Sequence, residues 1–202
     1  LTRALVKGGT EEQKQEWLPK LATAEVMPAV AVTEPDHGSD VAGITVTATP
    51  APGPDGEDGW VINGVKTWCT YGARADALTL LARTDPDRSR AHRGLSLFIV
   101  PKPRGDSHGF RFAQDPVDVD GTSRIGRMEG RPIDTIGYRG MHSYEIALED
   151  WWVPATNLIG PVSAATRPPS RFAPLAASER TIEAPESAVA RPTSSRRSLR
   201  YW

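Results

Sequence analysis

The chain has 202 residues, of which 39% are hydrophobic, with a net charge of −1 and a single cysteine, Cys69. Near-zero charge leaves no electrostatic footprint for nucleic acid or an anionic membrane surface. One cysteine excludes an intrachain disulfide, which fits a reducing compartment such as the cytoplasm, and no apolar run approaches the length of a membrane-spanning helix.

Residues 1–26 read as helical. Thr10 followed by Gln13 is a capping-box pattern, and Glu11 and Glu12 occupy the first turn, where the helix dipole favours acids. Trp17, Leu18 and Leu21 supply an apolar side, and Pro19 is expected to end or kink the helix. The chain opens at Leu1 with no recognisable signal peptide, and it is read as lacking its N-terminus or as starting from a misplaced start site.

Residues 27–153 read as strands. Ile44-Thr-Val-Thr-Ala-Thr49 alternates apolar and hydroxyl side chains, and Pro50 to Gly59 is rich in turn residues. Asn63-Gly64 between apolar pairs is a hairpin signal. Ala77–Ala82, Leu95–Val100 and Ser143–Leu148 are further strands, the first two joined by a polar loop from Arg83 to Arg93. This spacing predicts a mainly β fold, a small barrel or sandwich, preceded by a short helical segment.

Beyond Gly160 the composition changes. Residues 161–202 hold seven Arg, seven Ser and six Pro against three acids. Such a segment cannot bury a core and is expected to be a disordered tail. The domains are therefore read as 1–26 (helical), 27–153 (β) and 154–202 (linker and tail).

Two stretches carry the candidate chemistry. Ala31-Val-Thr-Glu-Pro-Asp-His-Gly-Ser-Asp40 is a turn, with Pro35 and Gly38 suited to a tight reversal and Ser39 and Asp40 to a cap or an anion. Lys66-Thr-Trp-Cys-Thr70 adds a large aromatic ring and two hydroxyls. Together they offer a stacking surface and hydrogen bonds for a heterocycle. The same residue types also describe a turn and then a strand with a buried Trp. His37 reads as an exposed turn residue. His37, His92, His108 and His142 show no metal-ligand spacing. No Gly-x-Ser-x-Gly elbow and no phosphate-binding loop is present.

The order of motifs adds a resemblance. Gly9-Thr-Glu-Glu-Gln-Lys14, Leu18-Pro-Lys-Leu-Ala22 and the Thr33-Glu34-Pro35 turn come first. Val61-Ile-Asn-Gly-Val-Lys-Thr-Trp68, Leu95-Ser-Leu-Phe-Ile-Val-Pro101 and Leu148-Glu-Asp-Trp-Trp-Val-Pro-Ala-Thr-Asn-Leu-Ile-Gly160 follow. From about residue 5 to residue 160 the chain resembles the acyl-CoA dehydrogenase family. The resemblance implies the end of an N-terminal helical domain followed by the family's middle β-barrel domain. It implies FAD as cofactor, with Ala31, Val32, Thr33, Gly38, Ser39, Trp68, Cys69 and Thr70 around the flavin ring. Ser39 would also lie near the thioester arm of an acyl-CoA substrate. His37 departs from the family, which usually has a small residue there.

The family's reaction is α,β-desaturation of an acyl-CoA thioester, with hydride passing to flavin N5 and electrons leaving to an electron-transfer flavoprotein. Intact members are homo-oligomers. The general base is a glutamate of a C-terminal helical domain, which is expected to be absent here. A shift of reading frame just after Gly160 is the expected cause. Read from each codon's third base, Gly160 to Ala165 permits Thr-Gly-Leu-Gly-Arg, similar to the family's entry into that domain. The chain is accordingly expected to be inactive alone. An acyl-CoA oxidase fragment and a non-enzymatic remnant or barrel-only binding module are the alternative readings.

Overall fold

Thr10 starts its helix as the capping pattern predicts. Its hydroxyl accepts from Gln13 N at 3.2 Å, and Gln13 Oε1 accepts from Thr10 N at 3.0 Å. This computed structural model describes residues 1–161 apart from Ser107, Asp120 and Arg139, so the expected tail lies outside the described residues except for Pro161. Two helices open the chain, α1 (Thr2–Gly8) and α2 (Glu11–Ala22). Pro19 does not end α2, which runs on to Ala22. A proline in the final turn forfeits a single backbone bond, a small loss beside the packing of Trp17, Leu18 and Leu21. Among the described residues no helix is long and apolar enough to cross a membrane.

Nine strands follow: β1 (Pro28–Ala31), β2 (Thr47–Pro52), β3 (Asp58–Thr70), β4 (Ala77–Arg83), β5 (Leu95–Pro101), β6 (Phe110–Val119), β7 (Thr122–Pro132), β8 (Ser143–Pro154) and β9 (Leu158–Ile159). The mainly β fold is as expected. The ladder runs β6-β7-β8-β3-β2-β4-β5-β9, with β1 added parallel to β4. Its two ends do not pair, so the sheet stays open where a closed barrel was expected. Closure requires the outer strands to bond, and β9 has only two residues, both taken by β5.

Asn63-Gly64 is not a hairpin. It lies inside β3, at an irregularity where β8 carries the extra residue, Asp150, with φ of 47°. Asn63 accepts from Asp150 N at 2.8 Å and so fills the gap in the ladder. Gly64 has φ of +130°, and a Cβ there would meet Val46 Cγ2 at 2.7 Å; close approach, not a turn, demands the glycine. The hairpin itself joins β2 to β3 through the Gly53–Glu57 turn, closed by Gly53 N donating to Glu57 O at 2.8 Å. Strand β2 accommodates Pro50 and Pro52 because its other edge pairs with β4 only at Thr47.

The sheet folds over its own core. Trp60 of β3 meets Phe98 of β5 edge-on at 5.7 Å, among Leu78, Leu80, Ile62 and Ile146. The opposite face of β4 and β5 presents Ala77 and Ile99 to Leu5, Ile159 and the apolar side of the helices. Both faces of these two strands are therefore covered, which explains why they read as nearly continuous apolar runs. Gln13 ties helix to sheet, its Nε2 donating to Thr156 O at 2.6 Å and Leu158 O at 2.9 Å. Gln13→Ala is expected to cost about 1–3 kcal/mol by leaving buried carbonyls unpaired, read as a lower urea midpoint with an unchanged slope.

Candidate functional site

The site is built on the connection from β1 to β2. Glu34 and His37 exchange backbone bonds, Glu34 N to His37 O at 2.9 Å and His37 N to Glu34 O at 3.2 Å, so Pro35 and Asp36 form the reversal. Pro35 serves the turn as expected. Gly38 shows no positive φ and no crowding around its Cα. Ser39 is exposed, and a short 3-10 turn, Val41–Gly43, follows it. His37 is half-buried rather than exposed: a Cβ on Gly43 would meet its Nδ1 at 2.7 Å, so the ring folds over that glycine.

Glu34 points inward. Its carboxylate accepts from Thr45 N at 2.7 Å, Thr45 Oγ1 at 2.8 Å, Val46 N at 2.9 Å and Lys66 Nζ at 2.9 Å. The Lys66 side chain is 0% exposed and that of Glu34 is 2% exposed. Burial pushes the Glu34 carboxyl up, but the donors from Lys66, Thr45 and Val46 outweigh it and hold the group below its ordinary value. A depressed carboxylate contributes stability at neutral pH that is lost as pH falls through its folded value. Burial lowers the Lys66 ammonium, with Glu34 opposing.

Opposite this turn, β3 carries a bulge. The register passes from Lys66↔Ile146 to Cys69↔Tyr144, so Thr67 and Trp68 together oppose one residue of β8. Trp68 has φ of +56°, a strained value for a bulky residue. The kink turns Thr67 N to Thr33 O at 2.8 Å, joining the two candidate stretches. Trp68 stands 55% exposed, so the reading with a buried Trp fails at this position. Cys69 faces the core, and burial pushes its thiol up to about 12, with Lys66 opposing. Thr70 Oγ1 shares a 3.1 Å hydrogen bond with Ser143 Oγ at the start of β8.

The turn after β3 is fastened from below. Lys102 Nζ donates to Ala73 O at 2.8 Å and Pro103 O at 2.9 Å and lies 4.6 Å from the Phe110 ring. Burial lowers its ammonium to about 8, with Asp76 opposing.

The structure thus brings Ala31, Val32 and Thr33 beside Trp68, Cys69 and Thr70, with Gly38 and Ser39 at the exposed end of the same loop. Ala31 and Cys69 are fully buried and can offer a ligand only backbone groups. Lys66, Thr45 and Ser143 escaped sequence reasoning. A lysine in an alternating strand reads as solvent-facing, and only the acid at Glu34 could have suggested its partner. In the polar loop after β4, Arg83 is buried and donates to Ala42 O at 2.7 Å, Arg90 pairs with Asp85 at 3.1 Å, and Arg88 and Arg93 are exposed. Among the described residues no group of three metal-ligating side chains occurs.

Comparison with known proteins gives a concordant result. Residues 29–130 match the family model for the acyl-CoA dehydrogenase middle domain. The chain is 42% identical over 155 residues to (2S)-methylsuccinyl-CoA dehydrogenase of Cereibacter sphaeroides, covering 77% of this chain and 25% of that protein. It is 35% identical over 158 residues to the mitochondrial isovaleryl-CoA dehydrogenase of Solanum tuberosum, covering 78% and 32%. Among solved structures, an acyl-CoA dehydrogenase from Geobacillus kaustophilus superposes with a TM-score of 0.62 at 35% identity, covering 80% of this chain and 36% of that one. The chain thus spans about a quarter to a third of the length of these curated relatives.

The inward thiol yields a direct check. Cys69 should resist a thiol reagent at pH 8 in the folded chain and give one full equivalent in urea. Rapid labelling without denaturant would place its side chain on the wrong face.

Proposed function

The chain belongs to the acyl-CoA dehydrogenase family, and we propose that it forms the cofactor wall of an enzyme that desaturates acyl-CoA thioesters with bound FAD. The observation that carries this reading is the 2.8 Å bond from Thr67 N to Thr33 O, which sets the two motif stretches edge to edge. The residues present suit a flavin. Trp68 projects a large ring out of an otherwise buried strand, and the Thr33 and Thr70 hydroxyls stand on the segments that flank it. When bound, FAD supplies the acceptor for the hydride that leaves the β-carbon.

In this reading Ala31, Val32, Thr33, Gly38 and Ser39 line the ring edge, the first two through backbone groups. Trp68 covers one face and excludes water, and the Thr70 hydroxyl, oriented by Ser143, offers a hydrogen bond. Cys69 contributes its backbone. Hydrogen bonds of this kind favour negative charge on the reduced cofactor. Ser39 would hold the thioester arm. Glu34 is not the base, because its carboxylate is buried and already accepts from four donors. Proton abstraction from the α-carbon therefore falls to a carboxylate elsewhere, and this chain alone gives little or no turnover. Electron-transfer flavoprotein is the proposed electron acceptor, and the intact enzyme is proposed to be a homo-oligomer.

FAD titration followed by visible absorbance tests the reading. The purified chain should retain FAD. Trp68→Ala should weaken retention roughly tenfold, the scale of one lost aromatic contact, whereas Cys69→Ala should change it little. Equal retention in both variants would reject the assigned face. Addition of an acyl-CoA should not bleach the flavin at the roughly 1–1000 per second of working enzymes. Bleaching at such rates would mean that the base is present.

A further inference from the structure

The loop from Val32 to Val46 is closed by side chains for which the proposed chemistry has no use. Through Glu34, one carboxylate gathers the amides of Thr45 and Val46, 11 and 12 residues downstream, and so closes the loop on itself. Lys66 reaches in from β3 and donates to Glu34 Oε1 at 2.9 Å and to Val32 O at 3.0 Å, joining the start of the loop to the strand that carries the bulge. From β4, Arg83 holds the far side through Ala42 O at 2.7 Å and Ile44 O at 3.3 Å. Of the remaining titratable groups of the loop, Asp36 is exposed, and His37 and Asp40 face each other at 3.9 Å nearer the surface.

We infer that Lys66 and Glu34 are positioning residues for the cofactor, a charged latch that sets the Thr33–Ser39 turn against the Thr67–Thr70 bulge. The inference rests on the proposed function for its ligand and on the hydrogen bonds alone for its geometry. A single lysine touches both the loop's first carbonyl and the carboxylate that ties the loop's end. Its loss would release both joints and strand a buried anion, which takes up a proton or pulls the loop open to water. An ordinary buried ion pair would affect only global stability. A latch acts on one loop and on the affinity of what that loop contacts.

The 202-residue chain, Lys66→Met, the double variant Glu34→Gln/Lys66→Met and the core control Ile99→Val separate these cases. FAD affinity is measured at a temperature where far-UV circular dichroism shows each folded, and amide hydrogen exchange is followed at Thr45, Val46, Leu78 and Leu80. Lys66→Met should raise the FAD Kd by roughly tenfold or more and speed exchange at Thr45 and Val46 but not at Leu78 and Leu80. The double variant leaves no stranded charge but still lacks the Val32 joint, so it should recover part but not all of the affinity, a non-additivity that marks direct coupling. Ile99→Val, on the far face of β5, should bind as the parent chain does. A Lys66→Met Kd within about twofold of the parent, or a double variant no better than the single, overturns the latch. Should the parent chain bind no FAD, the proposed function fails, and the latch is judged on exchange: unchanged rates at Thr45 and Val46 in Lys66→Met reject it. Where Lys66→Met does not fold, Glu34→Gln takes its place with the same readouts and the same outcomes.

Discussion

An acid and an amine buried together decide where everything else in the candidate site can stand. Removing both ions from water costs several kcal/mol each, and their attraction offsets that cost only when the remaining polar valences are filled. Here they are nearly all filled. Glu34 accepts four bonds and Lys66 donates two, one of them shared, and together they join three segments of the chain. The site therefore has little freedom to relax piecemeal, because release of one partner leaves several groups unpaired in the interior.

The backbone of β3 shows what that rigidity supports. Trp68 at φ +56° and Tyr71 at φ +65° sit in a region that costs an L-residue on the order of 1 kcal/mol or more. Such conformations persist only where the surroundings over-determine them. The anchors lie on both sides: Lys66 and the Thr67 amide before Trp68, then the inward Cys69 and the bond from Tyr71 N to His142 O at 2.9 Å after it. The bulge breaks the in-and-out alternation of the strand, so that Lys66 and Thr67 are both buried before Trp68 emerges. A face suited to a flat ligand thus follows from one extra residue in a ladder.

Much of the fold was legible in the sequence because it rests on local patterns. The Thr10–Gln13 cap, the strands from Ala77 and Leu95, and the alternation of Ser143 to Leu148 each have a short-range cause and occur where expected. The failures share a different origin. Asn63-Gly64 has turn chemistry, but Val46 needs a residue without a side chain opposite it, and that requirement belongs to tertiary packing. Pro50 looked like a break, although β2 is nearly an edge strand at that position. An open ladder and a barrel differ by whether two distant strands bond, which no window of sequence contains. The site divides in the same way. The two motif stretches meet at the bond from Thr67 N to Thr33 O, whereas Lys66 was hidden by its charge, since nothing short of the fold shows that a carboxylate waits for it inside.

Glu34 carries the sharpest consequence of that difference. An acid in the middle of a signature turn is a natural candidate for proton transfer. A base needs a free lone pair, access to the carbon acid and a proton affinity matched to the working pH. Glu34 has its oxygens occupied, no solvent access and a carboxyl held below its ordinary value. Each donor that makes it a good anchor makes it a poorer base. The two roles are in direct opposition, and burial has settled this residue on the first. A group that takes a proton from a ligand on this wall must then approach from the side on which Ser39 and Trp68 are exposed, because the other side of the loop is closed by the ion pair and the core of the sheet.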